Sequence, residues 1–126
     1  MVRNWARGIY PTEAGVELLI RAELVYDGAP WIRADGAVDV DELLRCSGPF
    51  SGGERRLVRI AGSLLGGPAV DLSEALPGLD RDNLRLVLAA AAHANGSHDH
   101  SDVIVTDGRA AFVRLDAAYP WPGPKA

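Results

Sequence analysis

All three histidines of the chain fall in the string His93-Ala-Asn-Gly-Ser-His98-Asp-His100-Ser-Asp102. On an extended segment, residues two apart project to the same side, so His98 and His100 would aim both imidazoles one way. Asp102 adds a carboxylate, and His93 could close the set from the end of the preceding helix. Imidazole nitrogens with a carboxylate oxygen suit zinc, nickel or iron, so a divalent metal is the one cofactor this string suggests. The spacing matches no specific signature such as His-Glu-x-x-His. A polar run around Gly96 is also ordinary loop chemistry after a helix, and histidine near a helix C-terminus complements the dipole. The default reading is therefore a solvated loop with no cofactor, and a metal-binding sensor or hydrolase-like enzyme is the alternative.

A second group sits at Phe50-Ser51-Gly52-Gly53-Glu54-Arg55-Arg56-Leu-Val-Arg59-Ile-Ala61. Ser51 and Glu54 stand in capping-box spacing, and two glycines let the chain turn tightly into a helix. A glycine-rich helix start followed by Arg55, Arg56 and Arg59 is also a place where a phosphate or another anion could bind. The string resembles the signature motif of ABC-type ATPases over about a tenth of the chain. In that family the serine and glycine amides meet the γ-phosphate of ATP held by a Walker A loop on an opposing subunit. Such a loop needs Gly-Lys-Ser/Thr, and Lys125 is the only lysine here, which excludes that activity. Capping is the simpler reading, with anion or nucleic-acid binding at Ser51, Gly52, Gly53, Arg55, Arg56 and Arg59 as a further alternative.

Nucleophilic catalysis finds little support. Cys46 is the only cysteine and follows an apolar pair at a helix end, the place of a small buried residue. No Gly-x-Ser-x-Gly elbow occurs and no carboxylate pair stands out, so no catalytic residue is assigned. Large aromatics near the two ends, Trp5 and Tyr10, then Tyr119 and Trp121, either staple the termini to the domain or form a partner surface.

The elements that must position these groups follow from periodicity and caps. An extended N-terminal arm covers residues 1–11. Thr12 caps a helix over 13–26, with Leu18, Leu19, Ala22, Val25 and Tyr26 inward and Glu13, Glu17 and Arg21 as a wet stripe. A hairpin at Trp31 turns at Asp35-Gly36, Asp39 caps a short helix, and Ser51 caps a strong one that Gly66-Gly67-Pro68 ends. Asp71 caps a single turn, and Asp80 caps the longest helix, over 81–95. Leu84, Val87, Leu88 and Ala91 form its main buried stripe, while Leu86, Ala90 and Ala94 widen the apolar surface and make it the central helix. Gly96 stops it. The best hairpin pairs 103–106 with 109–115 through Asp107-Gly108, and residues 117–126 form a proline-rich, extended tail.

Together these predict one small α+β domain over residues 1–126, with about three main helices packed on a small antiparallel sheet of short hairpins. Its 126 residues suffice for one core, and 48% apolar with 24% charged residues is globular composition. The net charge of −4 gives no global field that would draw the chain to nucleic acid or an anionic membrane. A single cysteine forbids an internal disulfide, and neither a signal-like segment nor a membrane-length apolar run occurs, so a cytoplasmic location is expected. The expected function is a non-enzymatic protein-interaction or adaptor domain that self-associates, a homodimer being the commonest soluble assembly.

Overall fold

The computed structural model describes residues 1–123; the end of the expected tail, residues 124–126, lies outside the described residues. The chain is a small α+β domain. Its elements run α1 (Val2–Ala6), α2 (Tyr10–Arg21), α3 (Val40–Cys46), α4 (Gly52–Leu64), α5 (Leu72–Ala75), α6 (Arg81–Asn95), a 3-10 turn (Ser97–Asp99), β1 (Ser101–Thr106) and β2 (Arg109–Arg114). Among the described residues, no helix is long and apolar enough to cross a membrane.

Four helices begin where an acidic or hydroxyl side chain meets the exposed amides of a first turn. Asp39 accepts from Glu42 N–H, Asp71 from Ser73 N–H and Asp80 from Asn83 N–H, while Ser51 and Glu54 complete a reciprocal capping box. Gly96 ends α6 at φ +87°, a conformation that strains residues with a Cβ. Asp107-Gly108 turns β1 into β2, which pair antiparallel with Val103 opposite Phe112 and Ile104 opposite Ala111.

α2 runs through the middle of the helical body and packs chiefly on α6 and α4. Ala14, Val16, Leu18 and Leu19 are buried along it, against Leu57, Val58 and Ala61 of α4 and Val87 and Ala90 of α6. Gly15 permits the approach to α4: a Cβ there would stand 2.8 Å from Leu65 Cγ and 3.1 Å from the Ala61 carbonyl oxygen. Trp31 is buried on the far side, its indole N–H donating to the Leu24 carbonyl at 2.8 Å and its ring edge-on to Tyr26 and Phe50.

Several expectations are corrected. Val2–Ala6 is helical rather than extended, because Val2 and Ala6 bury one side of a single turn against α2. α2 starts at Tyr10, not after Thr12, since Pro11 fits the first turn, and it ends at Arg21 because Glu23 adopts φ +63°. Tyr26 is consequently exposed. The central helix is α2, not α6, and α6 is rotated so that Val87, Ala89 and Ala90 face inward while Leu84 and Leu88 stay half in solvent. Small side chains allow α6 closer to α2 than a leucine stripe would. Around Trp31 the expected hairpin reduces to one bridge, Ile32 with Val38, as the indole belongs to the core. Among the described residues the sheet therefore has two strands, and all twelve of their residues are exposed, so the helices described do not cover it.

Candidate functional site

α2 and α6 run side by side, and the start of one meets the end of the other. Glu13, in the first turn of α2, faces His93, in the last turn of α6, and the 3-10 turn that follows Gly96 folds His98 back over both. His93 Nε2 lies 2.9 Å from Glu13 Oε1. Burial alone would raise the Glu13 carboxyl, but the hydrogen bonds from His93 and from the Gly8 backbone N–H, with the positive potential of both imidazoles, outweigh it and hold the group below its ordinary value.

The His93 and His98 rings stack with centroids 4.1 Å apart and planes within 8°. Tyr10 stands edge-on to His98 at 4.7 Å, and its hydroxyl donates to Asp99, whose other carboxylate oxygen accepts from Arg114. The hydrogen bond to Asp99, followed by burial, raises the Tyr10 phenol above its ordinary value. Tyr10 and Arg114 together depress the Asp99 carboxyl. His98 is thereby wedged between two rings, and its Nδ1 is buried with no hydrogen-bond partner among the described residues. One ligand atom each from Glu13, His93 and His98 lie within 4.8 Å of one another.

The C-terminal segment covers this corner. Ser97 is buried, donates to the Ala92 carbonyl at 2.9 Å and accepts from Ala118 N–H at 3.0 Å, which draws the chain back after β2. Trp121 then lies 6.3 Å from the His93 ring, with the Arg21 guanidinium 5.0 Å over its own ring and donating to the Pro122 carbonyl at 2.8 Å. Glu17 binds Arg21 at 3.0 Å and Arg3 at 2.7 Å. A cleft of about 400 Å³ remains between this segment and the helices, lined by His93, His98, Tyr119, Trp121, Arg3 and Arg21 among others.

Comparison of the chain with protein-family models, curated proteins and solved structures found no match.

The structure sorts the candidate residues into groups that spacing could not separate. His93 and His98 come together, whereas His100 is exposed beyond the turn and Asp102 is exposed on β1, its carboxylate accepting from the next backbone N–H, that of Val103. Glu13 and Tyr10 complete the cluster from α2, eighty positions before His93 in the case of Glu13; no pattern in the sequence links residues so far apart. At the start of α4, Ser51 and Glu54 satisfy each other, and Arg56 turns away to the Gly52 and Glu74 carbonyls. Arg55 is exposed, and Arg59 lines a separate cleft with Asp71 and Glu74, carboxylates that oppose an anion there. Tyr10, Tyr119 and Trp121 pack onto the domain, and Trp5 is partly exposed.

The other conspicuous surface is the β1–β2 hairpin. Val103, Val105 and Phe112 share one face, Ile104 and Val113 the other, and Phe112 is 85% exposed.

Proposed function

We propose that this chain is a non-enzymatic interaction domain that self-associates through the β1–β2 hairpin. The observation that supports this reading is that both strands are exposed throughout while carrying five β-forming apolar side chains, Val103, Ile104, Val105, Phe112 and Val113. A two-stranded ribbon is marginally stable in water by itself, and contiguous apolar surface on a small domain marks a contact site. An added strand supplies what the ribbon lacks: partners for the outer row of backbone groups on β1 and a broader apolar face.

A second copy of the chain fits this edge. If two β1 strands pair antiparallel about a twofold axis at Ile104, Val103 lies beside Val105 of the other copy, and Asp102 beside its Thr106. No like charges are opposed, and the Val103, Val105 and Phe112 faces of both copies merge into one side of a four-stranded sheet. With twelve strand residues on each side, the contact is smaller than the roughly 20–30 residues of a standard interface, so the expected dissociation constant is about micromolar.

Sedimentation equilibrium across that concentration range tests the reading. A reversible monomer–dimer equilibrium is expected, abolished by Val105→Lys with Phe112→Asp while the helical circular dichroism is unchanged. A protein that stays monomeric at roughly a hundred times that concentration, or a dimer indifferent to the double substitution, would overturn it.

A further inference from the structure

We propose that Glu13, His93 and His98 form a binding site for a divalent cation of the zinc class, under the segment that carries Tyr119 and Trp121. The inference is independent of the hairpin and rests on three observations. First, the donors come from three different elements, α2, α6 and the 3-10 turn, and converge so that one ligand atom of each falls within 4.8 Å of the others. Second, His98 Nδ1 is buried without a hydrogen-bond partner among the described residues, a costly state for a ring nitrogen in a polar corner. Third, the cleft beside both histidines leaves room for a water or another ligand to complete the coordination.

The chemistry of the set selects the metal. Two imidazoles and one carboxylate, with no thiolate, favour zinc, cobalt(II) or nickel(II) over calcium and magnesium, which prefer sites made of oxygens. Metal–ligand bonds of about 2.0–2.2 Å place tetrahedral donors roughly 3.4 Å apart. The Glu13–His93 contact, at 2.9 Å, is already shorter than that edge, so closure falls to His98. Because the two imidazoles are nearly parallel, one ring must tilt to bring both lone pairs onto a common ion. His98 sits on the short 3-10 turn and His93 within α6, so the tilt falls to His98. Three protein ligands with a remaining position is the arrangement of an open zinc site rather than a closed structural one.

The pattern His98-x-His100 with Asp102, read from sequence alone, makes a competing prediction about which residues matter. Zinc chloride is titrated by calorimetry into chelator-stripped, untagged chain, and cobalt(II) is added separately while its visible absorption is recorded. One equivalent of zinc should bind at micromolar or tighter affinity, and cobalt(II) should give the intense bands of a four-coordinate ion. Loss of a single ligand in His98→Ala or Glu13→Gln should weaken zinc binding by roughly tenfold or more and erase those bands. Glu13→Gln keeps an acceptor for His93 and Gly8, so its fold is preserved. His100→Ala with Asp102→Asn should leave both readouts unchanged. The proposal is overturned by absence of zinc binding to the parent chain, by binding that survives both ligand substitutions, or by binding lost in the His100 and Asp102 double variant.

Discussion

In α4, Leu57, Val58, Ile60 and Ala61 are buried; in β1 and β2, Val103, Val105 and Phe112 are at least half exposed. Both stretches are rich in apolar side chains and both follow the periodicity of their element. They differ in what lies opposite. α4 meets α2 where Gly15 removes the side chain that would hold the helices apart, whereas the hairpin leaves the body after the 3-10 turn and, among the described residues, meets no covering helix. Hydrophobicity states a preference for burial, and only a neighbouring surface satisfies it.

The sharpest way to break this comparison is to truncate an apolar side chain in each region. Leu43→Ala, at a site with no solvent exposure, should cost about 2–5 kcal/mol in urea unfolding, while Phe112→Ala, measured on dilute monomer, should stay within about 0.5 kcal/mol. Equal losses would mean that the hairpin is part of the core in solution. A smaller effect probes the junction between the two regions. Gly96→Ala puts a Cβ at φ +87° and 2.9 Å from the Tyr10 ring, and should cost about 1–2 kcal/mol in the same assay. If it does not, the 3-10 turn is not held against α2 as described.

The smallest effect is a pH dependence at Glu17, in the helical body. Burial would raise the Glu17 carboxyl, but hydrogen bonds from Arg3 and Arg21 outweigh it and hold the group below its ordinary value of 4.5. A carboxyl depressed by folding contributes stability that is complete above the unfolded value and is lost as pH falls through the folded one. Thermal unfolding followed from neutral pH downward should show stability declining below about pH 4.5. Glu17→Gln should be less stable at neutral pH and show a shallower decline. An unchanged acid limb would show that the pairs with Arg3 and Arg21 do not persist in solution.

Local chemistry was legible wherever one turn or one cap decided the outcome. Asp39, Ser51 with Glu54, Asp71 and Asp80 start helices, Gly96 ends one, and Asp107-Gly108 turns a hairpin, since each acts on backbone groups within a few residues. α1 was not legible because it has no side-chain cap and owes its single turn to packing on α2. The rotation of α6 was not legible either, because leucine and alanine positions offered two apolar faces, and the fit to α2 chose between them.

The candidate cluster divides in the same way. That histidines gather after the longest helix is a property of the sequence, and so is the carboxylate in the first turn of the helix at Tyr10. That Glu13 meets His93 across eighty positions, that His98 turns inward while His100 turns out, and that the segment bearing Trp121 closes over them depend on how α2 and α6 pack and on the Ser97 bonds to Ala92 and Ala118. Sequence by itself determined the class of fold, the caps and the turns, whose energetics are local. Tertiary structure alone decided which apolar residues are covered and which polar groups meet, because burial and convergence are properties of surfaces brought together from distant parts of the chain.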